Sequence, residues 1–162
     1  AEDVPVINMS LSGPANDLLE IVLRRVVDQG HVVVAAVGNN GPRGEPLFPA
    51  AYDTVVGVTA VDARNKVFRY ANRGEHVEFA ARGVNVRIAD SSTGGLRIES
   101  GTSMASPHVA VVMAQMLLTG KVEPGSARSL LVLGAEDLGR KGFDPVYGHG
   151  LITRPPTVVS SN

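Results

Sequence analysis

The sequence predicts an α/β fold of three layers, in which helices cover both faces of a mostly parallel β-sheet. Strand-like and helix-like segments alternate along the 162 residues, which is typical of layered α/β folds. Two strand-like segments, residues 31–37 and 54–61, are mostly apolar without polar alternation, as parallel strands buried on both faces usually are. The chain is 44% hydrophobic, which is enough for the core of one such domain.

The first three elements form a strand–helix–strand unit. The apolar segment at residues 4–10 predicts the first strand. A helix opens at residues 14–16 and continues to Gly30, a residue type that commonly ends helices. Its apolar residues recur at helical spacing, at Leu18, Leu19, Val22, Val26 and Val27. The apolar run at residues 31–37 then predicts the second strand.

The later elements begin with the apolar strand at residues 54–61. Three shorter segments alternate apolar and polar side chains, which predicts half-exposed strands at residues 76–80, 86–89 and 96–99. A long helix follows and runs to about Leu118, and a shorter helix begins at residue 124 or 126 and ends near Leu133. Two consecutive prolines predict that residues 153–162 are a tail or linker.

Composition and charge exclude several classes of protein. The formal net charge is −1, so the chain has no excess of positive charge for binding nucleic acid or an anionic membrane. The longest apolar stretches are too short to span a bilayer. The absence of cysteine excludes disulfides and thiolate metal sites, but it leaves the cellular compartment open.

The most informative segment is residues 101–110, which read Gly-Thr-Ser-Met-Ala-Ser-Pro-His-Val-Ala. Small residues form a turn that presents Ser103 at the start of the long helix. The unpaired N–H groups and positive dipole end of a helix start favour the negative charge that develops during acyl transfer. Ser103 is therefore the candidate nucleophile.

This segment is similar, residue for residue, to the nucleophile motif of the subtilisin-like serine proteases, the subtilases. The resemblance extends over residues 4–152 and implies a partial subtilisin-like fold with Ser103 as the nucleophile of a serine endopeptidase. Residues 33–41, Val-Val-Ala-Ala-Val-Gly-Asn-Asn-Gly, resemble the family's strand ending in Gly-Asn. That resemblance implies that the Asn39 amide donates a hydrogen bond to the oxyanion. Asn-Asn-Gly after a strand is also a common turn, so the residues alone leave both interpretations open.

Residues 6–14, Val-Ile-Asn-Met-Ser-Leu-Ser-Gly-Pro, resemble the family's substrate-binding segment. The resemblance implies an extended substrate that pairs with this backbone, beside a pocket walled on its other side by residues 36–38. The candidate substrate-binding residues are Ser10, Leu11, Ser12, Ala36, Val37, Gly38 and Thr102. Leu47 is expected near the pocket floor. A plain buried strand followed by a helix-opening turn is the alternative interpretation of residues 6–14.

A serine protease also needs a histidine base and an acidic residue that orients it. The family's Asp-Thr/Ser-Gly and His-Gly-Thr/His motifs do not occur in this sequence. His31 and His76 precede valines at strand starts, and His149 lies in a C-terminal turn. His108 is five residues past Ser103 on the same helix, where the resemblance implies a structural role. We expect none of the four histidines to be the base.

The resemblance identifies residues 1–152 as the C-terminal half of a subtilase catalytic domain, inactive without the half that carries the Asp and His. Two alternatives remain open. Ser12, Arg82 and Val111 depart from the commoner family pattern, which favours a degenerate module that binds peptides or partners without cleaving them. The other alternative is an unrelated α/β protein with a fortuitous serine turn.

The chemistry requires no cofactor, no metal site is predicted from the motifs, and the family resemblance allows a structural calcium ion. The expected partners are a peptide or protein substrate and the missing N-terminal half, with no nucleic acid and no membrane span. Without the strands of that half, an exposed sheet edge would allow the chain to self-associate. The resemblance implies a secreted or cell-envelope location.

Overall fold

The computed structural model describes residues 5–120 and 122–156. Four strands form one parallel sheet in the order β1-β2-β3-β4. These strands are β1 (Val6–Met9), β2 (Val32–Ala36), β3 (Val55–Val61) and β4 (Phe79–Arg82). Strands β5 (Val86–Ala89) and β6 (Leu96–Glu99) form a separate antiparallel pair. The helices are α1 (Asp17–Asp28), α2 (Thr102–Leu118) and α3 (Pro124–Gly134).

Helices cover both faces of the sheet, which confirms the three-layer α/β/α prediction. Successive residues of a strand point to opposite faces. Val33 packs in a buried cluster with Leu23 of α1, whereas Val34 packs in another with Val109 and Met113 of α2. Strand β2 is buried at every position, because both of its faces are covered.

The parallel arrangement brings the carboxyl ends of the strands to one edge of the sheet. Val6 of β1 lies opposite Val32 of β2, and Val33 of β2 lies opposite Val55 of β3. The segments that follow β1 and β2 therefore emerge side by side. The candidate site lies at this edge.

The prediction for residues 76–80 is wrong in its bounds and its exposure. Strand β4 begins at Phe79, and Phe79, Ala80 and Ala81 are fully buried. The C-terminal segment covers the outer edge of this strand: Ala80 N–H donates to the Gly150 carbonyl (2.8 Å), and Ile152 N–H donates to the Ala80 carbonyl (2.8 Å). The alternating pattern of residues 76–80 cannot predict that residues about seventy positions later bury this strand.

The prediction of a half-exposed strand at residues 96–99 is wrong in exposure, because Leu96 and Ile98 of β6 are 71% and 64% exposed on a two-stranded hairpin that no other described element covers on that side. The remaining predicted elements are present with small shifts in their ends. Helix α1 begins later than predicted, after Asn16, whose side chain accepts a hydrogen bond from Leu19 N–H (2.9 Å). Val4 and residues 157–162 of the predicted tail lie outside the described residues. Along 5–120 and 122–156, no helix is both long enough and apolar enough to cross a membrane.

Candidate active site

Ser103 occupies the second position of helix α2, directly after the β5–β6 hairpin. Gly101 precedes the helix in an extended conformation, and its carbonyl accepts a hydrogen bond from Met104 N–H (3.0 Å). Among the residues that the structure describes, the Ser103 N–H donates to no acceptor. A half-buried hydroxyl therefore lies beside an unpaired backbone donor at the positive end of a 17-residue helix.

Asn39 follows strand β2, and its side chain is fixed by the start of α2. The amide oxygen Oδ1 accepts hydrogen bonds from the backbone N–H of Thr102 (3.1 Å) and from its hydroxyl (3.2 Å). The Thr102 hydroxyl in turn accepts from Gly38 N–H (3.2 Å). With Oδ1 occupied twice, the amide orientation is set and Nδ2 keeps its hydrogens for another acceptor. No acceptor for Nδ2 lies within hydrogen-bond distance in the described part of the chain.

Gly38, between the strand and Asn39, has no room for a side chain. Its φ is +101°, and an added Cβ would lie 2.5 Å from Leu47 Cδ1 and 3.2 Å from Asn72 Oδ1. Leu47 therefore lies directly against the predicted pocket wall. Val37 is fully buried in the core on the α1 side, so this segment can offer its backbone to a ligand but not the Val37 side chain.

Asn72 anchors the loop that follows Asn39, a role that its place in a turn does not predict from the sequence. The residue is fully buried; its Oδ1 accepts from Asn40 N–H (2.8 Å) and its Nδ2 donates to the Glu45 carbonyl (2.7 Å). Asn72 N–H also donates to the Gly38 carbonyl (3.1 Å). An asparagine in a turn is ordinary on a surface, and only its burial identifies it as a support for the site.

The segment after β1 lies open to solvent beside Ser103. Ser10, Leu11 and Ser12 are exposed, and Gly13 exchanges two backbone hydrogen bonds with Phe48 (2.8 and 2.9 Å). The Ser10 hydroxyl, however, is directed at α2, where it contacts the Ser103 carbonyl (3.0 Å). The three predicted regions, after β1, after β2 and at the start of α2, thus meet at one edge of the sheet.

The described histidine contacts lead away from Ser103. His108 is exposed, and its Nδ1 contacts the Arg82 carbonyl (2.7 Å), consistent with a structural role. His149 packs between the rings of Phe79 and Phe143, and burial lowers the pKa of His149. Burial also lowers the pKa of His76, which precedes β4 at the opposite edge of the sheet.

The buried carboxylates of the described residues have protein partners. Within 5–120 and 122–156, no group of three or more histidine, aspartate or glutamate side chains could hold a metal ion. The buried carboxylate of Asp144 accepts from the backbone N–H groups of Arg140, Val146 and Tyr147 (2.8 to 2.9 Å). The other buried carboxylate, Glu78, is paired with the Arg128 guanidinium (2.5 Å); burial raises the pKa of Glu78 to about 7, although Arg128 opposes the shift.

Comparison with known proteins gives a consistent family assignment. The model of the subtilase family, peptidase S8, matches residues 1–150. The minor extracellular protease Epr of Bacillus subtilis strain 168 is 34% identical over 159 residues, which are 94% of this chain and 24% of that protein. Subtilisin DY of Bacillus licheniformis is 38% identical over 155 residues, 91% of this chain and 54% of that protein.

A solved structure supports the fold. The S41 psychrophilic protease superposes with a TM-score of 0.80 at 28% sequence identity, over 90% of this chain and 56% of that one. The chain thus spans between about a quarter and a little over half the length of these relatives.

Proposed function

Because the chain belongs to the subtilase family, we propose that residues 1–152 are the C-terminal half of a serine endopeptidase domain that hydrolyses peptide bonds through an acyl-enzyme. One observation carries this proposal: the Asn39 amide oxygen is bonded twice to Thr102, the residue before Ser103. That arrangement holds a neutral donor beside a hydroxyl at a helix start. Acyl transfer to a serine requires both groups together.

In the proposed reaction, the Ser103 Oγ attacks the carbonyl carbon of a peptide bond and the carbonyl oxygen becomes an oxyanion. Asn39 Nδ2 and the unpaired Ser103 N–H donate to that oxyanion. The proton of Ser103 must go to a base, which then protonates the leaving amine. We assign the base and its orienting carboxylate to the other half of the domain, since His108 and His149 contact groups other than Ser103 and His76 precedes β4 at the opposite edge of the sheet.

The substrate is proposed to be an extended peptide lying along Ser10, Leu11 and Ser12. This segment is exposed at the carboxyl end of β1, where it can exchange backbone hydrogen bonds with a peptide. The backbone of Ala36, Val37 and Gly38 forms the opposite wall, and Thr102 closes the end of the pocket. Leu47 lies against Gly38 at this wall.

Three departures from the family pattern favour the non-catalytic alternative, and one of them, Ser12, lies in the segment proposed to bind the substrate. The other two, on β4 and α2, lie away from Asn39 and Ser103. Arg82 donates to the Asp62 carbonyl, and Val111 is 56% exposed on the side of α2 near Val6. Within the described part of the chain, the Arg82 side chain makes no hydrogen bond to Asn39 or Ser103. The placement of Arg82 and Val111 supports a cleaving enzyme over the alternative, a degenerate module that only binds peptides.

A secreted location is part of the proposal. One relative is named an extracellular protease, and the others compared are a subtilisin and a psychrophilic protease. The partners would be a peptide substrate and the other half of the domain. No step of the proposed reaction depends on calcium.

The test uses the protein expressed from its complete reading frame. Wild type and Ser103→Ala are incubated with a chromogenic peptide, and binding of the same peptide is measured separately. We expect the wild type to hydrolyse the peptide and Ser103→Ala to bind it without hydrolysis. Binding without hydrolysis by the wild type would contradict the endopeptidase and support the binding module instead.

A further inference from the structure

Pro107 leaves a gap in the hydrogen bonding of helix α2. Proline has no N–H, and in a helix that group would donate to the carbonyl four residues earlier, which here belongs to Ser103. The proline ring also crowds that carbonyl. The backbone carbonyl of the candidate nucleophile therefore lacks the N–H that would ordinarily bond to it in a helix.

Ser10 supplies the missing partner from the end of strand β1. Its hydroxyl donates to the Ser103 carbonyl at 3.0 Å. A serine hydroxyl has one hydrogen, so the contact between Ser10 Oγ and Ser106 Oγ (3.0 Å) must have Ser106 as its donor. Asn8 Nδ2 donates to the same Ser10 oxygen at 2.9 Å. Ser10 Oγ thus accepts two hydrogen bonds and donates one, which fixes the direction of its hydrogen.

The first turn of a helix is the part that its own hydrogen bonds hold least. At Ser103 both backbone groups lack the regular helix hydrogen bond, since the N–H is at the helix start and the carbonyl lies four residues before Pro107. A small rotation of this residue would move its Oγ relative to the Asn39 amide. Misplacement of a reacting group by about 1 Å can cost on the order of a hundredfold in rate.

We propose that Ser10 is a positioning residue: its hydroxyl replaces the helix hydrogen bond that Pro107 removes and so fixes the backbone of the nucleophile Ser103. The buried Ser106 and the Asn8 amide hold Ser10 in turn. The segment that binds the substrate backbone and the residue that attacks the substrate are thereby joined by a single hydroxyl. This inference rests on the proposed peptidase function.

The test separates positioning from substrate binding in the protein expressed from its complete reading frame. The labelling rate is measured with a small fluorophosphonate that has no peptide part, beside kcat and KM for a peptide. Ser10→Ala is expected to lower both the labelling rate and kcat about fivefold, the size of one ordinary hydrogen bond, with KM within about twofold. Ser10→Thr keeps the hydroxyl and should restore both rates.

A double-mutant cycle with Pro107→Ala tests the stated cause. Alanine supplies the N–H that proline lacks, so Ser10→Ala should change the labelling rate by less than about twofold in the Pro107→Ala background. If Ser10→Ala alone does not fold, the comparison of Pro107→Ala with the double variant still tests the inference. Ser129→Ala, at an exposed serine of α3, is the matched control and should leave both rates unchanged.

Two other outcomes overturn the inference. If Ser10→Ala raises only KM, or if it slows labelling equally in the wild-type and Pro107→Ala backgrounds, Ser10 does not position the nucleophile. If the wild type neither labels nor cleaves, the proposed function itself fails. A wild type that reacts at the same rate as Ser10→Ala would instead contradict only the positioning role of Ser10 and leave the proposed function standing.

Discussion

The Asn39 amide oxygen and the Thr102 residue are joined by two hydrogen bonds, one to the Thr102 N–H and one to its hydroxyl. These bonds connect the end of strand β2 to the start of helix α2 across 63 positions of sequence. The fully buried Thr102 hydroxyl also accepts from Gly38 N–H. A single threonine therefore orients the donor of the proposed oxyanion site and satisfies the backbone beside it.

Removal of the Asn39 amide should abolish most of the activity without unfolding the protein. Asn39 is exposed, so Asn39→Ala should lower kcat by about a hundredfold to a thousandfold, the loss measured for such a donor in subtilisin, a relative of this chain. Steady-state kinetics on the full-length protein measure the change. A kcat reduced less than about threefold would show that Asn39 does not contact the oxyanion.

Thr102→Val should affect both stability and rate. The substitution leaves the Gly38 N–H buried without an acceptor and should cost about 1–3 kcal/mol of unfolding free energy. It also frees the Asn39 amide to rotate, so kcat should fall. Thr102→Ser is the matched control because it keeps the hydroxyl. Equal rates for the valine and serine variants would contradict an orienting role for this hydroxyl.

Asn72→Ala should loosen the loop after Asn39. It removes the partners of Asn40 N–H and of the Glu45 carbonyl from a buried position, which should lower the unfolding free energy by about 1–3 kcal/mol. Amide hydrogen exchange should accelerate at Asn40 more than in β3. Uniform acceleration across the sheet would mean that Asn72 supports the whole fold and not this loop.

Glu78 should make stability fall as pH rises. Its folded pKa of about 7 lies above the ordinary value of 4.5, because burial disfavours the carboxylate more than Arg128 favours it. The contribution is fully present below about pH 4.5 and is lost as pH rises through 7, a change of about 3 kcal/mol. His76 and His149 act oppositely, since burial lowers the pKa of each.

The measurement is urea unfolding of Ser103→Ala and of Ser103→Ala with Glu78→Gln, between about pH 4.5 and 8. The first protein should lose stability relative to the second across this range, and the shared histidines cancel in the difference. If the stability of the first protein relative to the second stays constant or rises as the pH increases, the pKa of Glu78 is not raised in the folded protein.

The 162-residue chain expressed alone should self-associate. Among the described strands, β1 pairs only with β2, so its other edge keeps unpaired backbone groups. Val6, Val111 and neighbouring residues line an apolar cleft of about 230 Å³ beside that edge. Sedimentation velocity should show oligomers, and Val111→Lys should reduce them. A stable wild-type monomer would contradict this expectation.

The sequence predicts the helices and apolar strands because their patterns are local. The period of α1 and the continuous burial of β2 depend on residues adjacent in sequence. Strand β4 could not be predicted in the same way, since its burial comes from Gly150 and Ile152. The alternating pattern of residues 76–80 predicts a half-exposed strand, because it carries no information about the distant segment that covers β4.

The residues of the candidate site also divide into those with a local sequence signal and those that depend on distant contacts. Ser103 and Asn39 stand in segments that could be identified from their residues, and the structure places Asn39 against the residue before Ser103. Asn72, Ser10 and Ser106 support the site through hydrogen bonds to residues that are 27 to 96 positions away in the sequence. Polar residues of such common types give no local signal of burial or of partners.

Covalent labelling of the full-length protein with a fluorophosphonate tests the central claim most directly, because the probe reacts only with an activated nucleophile. Peptide mapping by mass spectrometry then locates the adduct. We predict one adduct, on Ser103, absent from Ser103→Ala and slowed in Asn39→Ala. An adduct on another serine, or undiminished labelling of Ser103→Ala, would contradict the assignment of Ser103 as the nucleophile.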